Sequence, residues 1–425
     1  MNATPAARRA QEAATSMLTP LLPDQAAQTL LKLAVEPKTL TVNLEDALGY
    51  VLAEDVSASL ASPPFDRSPY DGYALRAGDI ASASADAPVE LRVIECVPAG
   101  HVPQLPVGGG ETTKIMTGAP MPAGADCVVK KEDVEAAAGF ARFFQPLAPG
   151  KNVIPAGEEY PAGTPLLARG TRIGVGERGV MACQGRTECL VCLKPRAVVI
   201  PTGDELALVG QPLPSGKIYD SGSILLQGMM ERLGFSCERL EPVQDDPEEI
   251  SLVVAAAMKA FDVVITTGGA SVGDKDFAPA VIRDLGLRPL FQRVQMRPGG
   301  AMLAAANPND KALLCLSGNP GAAALGLLRV ALPYLHKLCG QRDWQPKRTR
   351  VVLRNPIHKA SPVTRLVRGR LTVEDGVAYF EAEGRQTNAS ITSFCNFDLV
   401  AEVPAGSSPL AAGTMVEAFM PFREG

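Results

Sequence analysis

Histidine is scarce in this chain of 425 residues. There are three, His101, His336 and His358, none near another or near a cysteine pair. That argues against a histidine-built zinc site and against a Ser-His-Asp triad. Cysteine is scattered and odd in number, nine in all, which suits reduced thiols in a cytoplasmic setting better than a disulfide framework. No run of ~18 apolar residues occurs, so no membrane span is expected. Met1–Leu22 carries Arg8 and Arg9 without a continuous apolar stretch and does not read as a signal peptide. Cationic excess is missing too. The formal net charge is −5, so bulk charge gives no footprint for nucleic acid or an anionic membrane. Chemistry must rest on carboxylates, backbone amides, hydroxyls and a few local cations.

What is present is a globular composition, 46% hydrophobic and 20% charged, with length enough for about three domains. A helix is expected over Asp24–Leu33, a strand over Leu40–Leu44 and a second helix over Glu45–Ala53. Residues 55–149 are rich in Gly, Pro and Ala with short alternating runs, the pattern of a β-rich insert. Residues 150–190 return to the texture of 23–54, and the two are read as one discontinuous linking domain. Residues 345–425 read as a small C-terminal β domain.

The clearest pattern lies in 191–340. Apolar runs at Arg196–Ile200, Phe235–Leu240, Asp262–Thr266 and Lys311–Leu316 alternate with helices over Ser221–Leu233, Asp246–Phe261, Asp276–Leu285 and Gly321–Leu338. Near-continuous apolar strands alternating with helices predict a parallel, doubly wound sheet. In such sheets ligands bind beyond the carboxyl ends of the strands. Thr202-Gly203-Asp204-Glu205, Asp245-Asp246, Thr267 to Asp276 and Ser317-Gly318-Asn319-Pro320 each follow a predicted strand end, so they should share one rim.

The run Thr266-Thr267-Gly268-Gly269-Ala270-Ser271-Val272-Gly273 would let backbone amides approach a phosphate, though a tight strand-to-helix turn needs glycines as well. Asp274, Asp276, Glu205 and Asp245 or Asp246 would sit beside it. Carboxylates next to a phosphate call for a cation, and Mg2+ suits oxygen ligands shared with substrate phosphates. Helix capping accounts for Asp246 in any case. Arg293, Met296 and Arg297-Pro298-Gly299-Gly300 bring local positive charge.

Three motifs carry less. Gly174-Val175-Gly176-Glu177-Arg178-Gly179 has no strand before it and reads as a helix entry. Gly210 to Lys217 is one residue too long for a phosphate loop. Cys189 and Cys192 fall on a predicted strand and read as buried thiols.

Six motifs in order resemble those of the molybdopterin molybdenumtransferases, the MoeA family with the gephyrin E-domain as eukaryotic counterpart. They are Ser68-Pro69-Tyr70-Asp71-Gly72-Tyr73-Ala74, Met116-Thr117-Gly118-Ala119-Pro120, Thr202-Gly203-Asp204-Glu205-Leu206, Ile218-Tyr219-Asp220-Ser221, Thr267-Gly268-Gly269-Ala270-Ser271-Val272-Gly273 and Ser317-Gly318-Asn319-Pro320. The match spans about residues 25–420. It implies a multidomain α/β plus β fold: a doubly wound MogA-like α/β domain that binds molybdopterin, the β-rich insert, the linking domain and the C-terminal β domain.

The resemblance further implies a homodimer whose active site lies between the α/β domain of one subunit and the insert of the other. The implied reaction takes molybdopterin-AMP and molybdate, with Mg2+, to molybdenum cofactor and AMP. Asp276 and Asp245 or Asp246 would be catalytic or metal-linked acids, with Glu205 a further acid. Asp71 and Thr117 would come from the partner subunit. Thr267, Gly268, Gly269, Ser271, Ser317, Gly318, Asn319 and Pro320 would hold the pterin phosphate end, with Arg293 and Arg297 beside them. Transfer to molybdoenzymes or their chaperones, and contact with a molybdopterin adenylyltransferase, are implied partners. The chain departs from the family at Gly300, a common lysine position, and at Glu159, often an aspartate. The competing readings are a nucleotide-processing relative sharing only the α/β domain, and a molybdopterin carrier, scaffold or specialised paralogue without full transferase activity.

Overall fold

The computed structural model describes residues 19–270, 277–384 and 386–422. They form two compact units. One takes in the chain up to Glu54, Arg169–Gly179 and Thr187 onward; the other is Asp55–Ala168 with Val180–Arg186.

In the first unit a six-stranded sheet runs in the order Ser236–Arg239, Arg196–Pro201, Val263–Thr267, Ala312–Leu316, Met302–Ala306, Arg288–Gln292. The first four strands are parallel. Met302–Ala306 runs antiparallel to both its neighbours, Ala312–Leu316 and Arg288–Gln292, an addition that the strand–helix alternation did not reveal.

The central strands are buried on both faces, which explains their continuous apolar runs. Ala197, Val199, Val263, Ile265, Leu314 and Leu316 pack on one side with Leu226, Met230 and Leu30. Val198, Ile200, Val264, Leu313 and Cys315 pack on the other with Ile250, Val254, Val281 and Ile282. This period-two division places helices Gly222–Arg232 and Pro23–Leu31 on one face, and Pro247–Ala260 and Ala278–Asp284 on the other. Each large side chain so buried contributes about 1.5–3 kcal/mol. From Arg196–Pro201 the chain goes first to the neighbour on one side, Ser236–Arg239, and then to the neighbour on the other, Val263–Thr267. The sheet therefore reverses at the carboxyl ends of Arg196–Pro201 and Val263–Thr267, where a crevice opens.

Two expected helices differ. Glu45–Ala53 contains only the 3-10 turn Leu44–Asp46. Its later amides bond distant carbonyls instead: Gly49 to Ile173, Leu52 to Thr171 and Ala53 to Leu190. The helix over Gly321–Leu338 is three pieces, Pro320–Gly326, a π segment Leu327–Ala331 and Leu332–Leu338. Pro333 lacks an N–H and its ring crowds the preceding turn, which widens the helix there.

Strand Glu188–Cys192 pairs antiparallel with Thr39–Asn43 and buries Cys189 and Cys192. The Gly174 amide donates to the Glu177 carboxylate at 2.9 Å, opening helix Val175–Cys183. The C-terminal strands Thr364–Glu374, Val377–Ala382, Lys347–Leu353, Met415–Met420 and Leu399–Val403 follow one another, and the last pairs back to the first. They close a small barrel around Val351, Val367, Phe380 and Ala401.

The second unit is built on a six-stranded sheet in the order Cys127–Lys130, Gly72–Leu75, Glu111–Ile115, Val89–Val97, Phe140–Phe143, Val134–Ala137. Tyr73, Leu75, Leu91 and Phe143 form its core, with Tyr73 and Phe143 edge to face at 6.2 Å. Gly72 is fixed by packing: a Cβ there would lie 2.2 Å from the Val129 carbonyl oxygen.

Candidate active site

The rim at the strand ends is held together by short polar contacts. Thr202 donates to the Thr267 carbonyl from both its amide, at 3.0 Å, and its Oγ1, at 2.7 Å. This welds the first loop to the glycine loop. Gly268 has φ +98°, and a Cβ there would meet Thr202 Oγ1 at 2.5 Å; at Gly269 it would enter the Phe277 ring. Both glycines are thus required by packing. The Gly268 amide donates to the Leu316 carbonyl at 3.0 Å, so it is already engaged. Ser271, Asp274 and Asp276 lie outside the described residues.

The acids divide by what they already do. Thr202 bridges to Val243, and the Asp245 amide donates to the Asp204 carboxylate at 3.2 Å, so the loops bearing Glu205 and Asp245 adjoin. Glu205 folds back over Gly203, where a Cβ would lie 2.5 Å from its carboxylate. Glu205 and Asp245 are exposed. Asp246 caps helix Pro247–Ala260, accepting from the Glu248 amide at 2.9 Å. Asp220 is buried, accepts from the Ser223 amide at 3.0 Å and from its hydroxyl, and has Arg239 at 3.7 Å. It was legible only as part of a motif. No group of three or more His, Cys, Asp or Glu gathers to hold a metal among the described residues.

Ser317-Gly318-Asn319-Pro320 enters the next helix at the same rim. The Asn319 amide donates to Ser317 Oγ at 3.2 Å, and Gly318 packs over Gly268. Gly321 abuts the carbonyls of Asn388 and Ser390, joining this loop to the C-terminal barrel. Met302 pairs with Leu316 and Gln292 with Leu303, so the segment carrying Arg293 and Arg297 leaves the sheet at the rim end. Both arginines are exposed. Arg293 adopts φ +69° and its carbonyl accepts from the Leu21 amide at 3.2 Å. Gly300 is closed in: a Cβ would lie 2.4 Å from the Met296 carbonyl oxygen and 2.5 Å from that of Val294. A lysine does not fit on this backbone.

The residue that the sequence analysis missed most is Arg368. It is 0% exposed, and its Nε, Nη1 and Nη2 have no hydrogen-bond partner among the described residues. Burial pushes its pKa down to about 10. The guanidinium stacks on Phe394 at 4.5 Å. The buried Ser393 hydroxyl, next in sequence to Phe394, also lacks a partner. The Gln386 side chain clamps the Arg368 backbone, accepting from its amide at 2.9 Å and donating to its carbonyl at 2.6 Å. A guanidinium buried without an acceptor is costly, and an anion would complete it. The signal in the sequence is an arginine directly after Leu366-Val367 in a barrel strand.

In the second unit, Asp71 Oδ1 accepts from the Thr117 amide and hydroxyl, each at 2.9 Å, and Oδ2 faces Lys131 at 3.3 Å. The Thr117 amide is the main reason the Asp71 carboxyl titrates below its usual range, with the Thr117 hydroxyl and Lys131 adding to it. Lys130 lies over the Tyr70 ring at 4.3 Å. The two family-like loops therefore meet, and hold an ionised carboxylate between them.

A doubly wound sheet with a glycine-rich crevice, a β insert and a terminal barrel defines a multidomain α/β plus β protein with a ligand-binding crevice at the strand ends. Three family models match in succession: "MoeA N-terminal region (domain I and II)" over residues 21–185, "Probable molybdopterin binding domain" over 198–337 and "MoeA C-terminal region (domain IV)" over 350–420. A molybdopterin molybdenumtransferase from Staphylococcus epidermidis is 33% identical, covering 95% of this chain and 96% of its own. One from Staphylococcus aureus is 34% identical, over 94% and 95%. The crystal structure of a molybdopterin biosynthesis moeA protein from Pyrococcus horikoshii aligns with a TM-score of 0.80 at 27% identity, over 95% of this chain and all of that one. The chain belongs to the molybdopterin molybdenumtransferase family.

Proposed function

We propose that this enzyme of molybdenum cofactor biosynthesis inserts molybdate into adenylylated molybdopterin and releases AMP. The observation that carries the reading is Arg368, a buried guanidinium with no acceptor among the described residues, stacked on Phe394, whose sequence neighbour Ser393 has a buried hydroxyl also without a partner there. Together they suit a tetrahedral dianion. Such a seat favours a transferase over a passive carrier, because a carrier of finished cofactor has no need to bind the free oxyanion.

The pterin phosphate end would go to the crevice, between Thr267 and Gly269 on one side and Ser317, Gly318, Asn319 and Pro320 on the other, with Ser271 added on the family resemblance alone. Gly268 contributes shape, since its amide serves Leu316. Arg293 and Arg297 offset the charge of the bound anions. Cleavage of a phosphate linkage needs charge neutralisation and positioning more than a covalent nucleophile.

Glu205 and Asp245, exposed acids on adjoining loops, would share magnesium, and the family resemblance adds Asp276. Such a site keeps several waters and takes further ligands from substrate phosphates. When bound, the ion supplies neutralisation of phosphate charge. Asp246 is committed to its helix cap.

On the family resemblance, Asp71 and Thr117 would serve the partner subunit's active site, within a cytoplasmic homodimer. A mixed-dimer experiment tests this: Asp71→Ala and Asp276→Ala chains, each inactive alone, should regain activity when combined. No recovery would place all these residues within one protomer. Activity itself is tested by AMP release from molybdopterin-AMP as a function of molybdate.

A further inference from the structure

Arg329 is a charge in an apolar helix. Its neighbours Leu325, Leu327, Leu328, Val330 and Ala331 are fully buried. It stands in the π segment Leu327–Ala331, whose wider turn shifts side chains out of α register. The guanidinium is 8% exposed. It donates from Nε to the Glu402 carboxylate and from Nη2 to Asp24 at 2.6 Å. The Glu402 side chain, 12% exposed, takes Arg348 Nη1 on its other oxygen at 2.6 Å. Replacing a buried ion pair by apolar groups is often neutral for stability. This pair is better explained by the geometry it fixes.

That geometry leads to Arg368. Strand Leu399–Val403 pairs with Thr364–Glu374, with Glu402 against Leu366 and Val400 against Arg368. Side chains alternate between the faces of a strand, so Leu366, Arg368, Val400 and Glu402 share one face of this ladder. Leu366 and Val400 on that face join the same core as Leu325 and Leu328. The helix run itself starts at the rim, after Ser317-Gly318-Asn319-Pro320. It is stapled to the barrel at its start, where the Ala322 amide donates to the Asn388 carbonyl at 2.9 Å. Arg329 and Glu402 form a second staple about two turns on. Between the staples, Gly326 packs so closely on Gly299 that a Cβ at Gly299 would lie 2.7 Å from its nitrogen. Cavities of about 530 and 660 Å³ both reach Asp24, Arg329 and Glu402. Packing is thin where the second staple stands, so the ion pair holds the ladder there.

We propose that Arg329 is a positioning residue: through Glu402 it fixes the barrel ladder that carries Arg368 against the helix leading from the rim. The inference rests on the reading of Arg368 as the oxyanion seat. A forked guanidinium sets direction as well as distance, whereas apolar side chains alone allow the ladder to slide.

Calorimetric titration of the full chain tests this. Molybdate and molybdopterin-AMP are titrated separately into wild type, Arg329→Met, Arg329→Lys, Glu402→Gln, Arg368→Met and the double variant Arg329→Met/Arg368→Met. Unfolding in urea is followed by the emission of Trp344, the single tryptophan, which lines one cavity with Arg329 and Glu402. Arg329→Met should bind molybdate about tenfold more weakly, as a remote misplacement does. Its affinity for molybdopterin-AMP and its unfolding midpoint should hold. Glu402→Gln should show the same selectivity, and Arg329→Lys should recover part of the loss. The double variant should be no weaker than Arg368→Met alone, because one residue acts through the other. Molybdate binding unchanged in both Arg329→Met and Glu402→Gln, while Arg368→Met weakens it, overturns the inference alone. An equal loss for both ligands with a lowered midpoint makes Arg329 merely structural and overturns it too. If Arg368→Met binds molybdate as wild type does, the seat itself falls and the inference with it.

Discussion

The Arg368 guanidinium lies 4.5 Å from the centre of the Phe394 ring, and none of its three nitrogens has a hydrogen-bond acceptor among the described residues. The ring supplies a cation–π contact but no oxygen. Binding of an oxyanion would turn this unfavourable burial into a set of charge-assisted bonds.

Function and stability should therefore part company at this position. Arg368→Met keeps much of the volume and removes the buried charge. Replacing buried charge by apolar groups is neutral or stabilising by about 1–4 kcal/mol. Molybdate-dependent AMP release should fall by about 100-fold or more, as when an oxyanion donor is removed. Urea unfolding beside an AMP assay reads both. A destabilised variant with full activity would mean that Arg368 is structural.

Gly300→Lys should not restore a lost function. The added Cβ collides with the Met296 and Val294 carbonyl oxygens, and overpacking of this kind costs about 1–3 kcal/mol. The expected result is a lower midpoint of unfolding with no gain in molybdate affinity. A stable variant with tighter molybdate binding would show that the backbone yields here.

Asp246 and Asp245 are adjacent in sequence but differ in task. Asp246→Ala loses an N-cap worth about 1 kcal/mol, and Asp246→Asn should keep both the cap and the activity. Asp245→Asn should instead raise the magnesium concentration needed for half-maximal AMP release. Equal magnesium dependence in the two Asn variants would remove Asp245 from the ion's ligands.

Asp71 offers a pH signature. Its folded pKa lies below the ordinary 3.8, chiefly because of the Thr117 amide. A depressed carboxylate contributes stability above its unfolded pKa and loses it as the pH falls through the folded value. Thr117→Val removes the hydroxyl donor but keeps the amide. The Asp71 titration followed by NMR should therefore move part of the way back up toward 3.8. No movement would mean that the hydroxyl contact is absent in solution.

Much of the α/β domain was legible because its signals are local. Asp246-Pro247-Glu248-Glu249 announces a helix start by cap, proline and dipole, and Val263–Thr267 announces a buried strand by its unbroken apolar run. The rim followed from those strand ends, and Thr202 bonded to Thr267 shows two of its loops in contact. What was not legible depends on distant partners. Gly49 to Ala53 looks helical until the carbonyls of Ile173, Thr171 and Leu190 take its amides. The antiparallel pair Arg288–Gln292 and Met302–Ala306 has no helix between its strands to mark a crossover. Arg368 is one more arginine in an arginine-rich strand, and only folding reveals that its head group is buried against Phe394 with no acceptor among the described residues.

The most direct test of the account is AMP release by purified protein from molybdopterin-AMP with magnesium, with and without molybdate. The account predicts release that requires molybdate and that saturates with it. Release independent of molybdate, or tight binding of the adenylylated pterin with no release at any molybdate concentration, would contradict it.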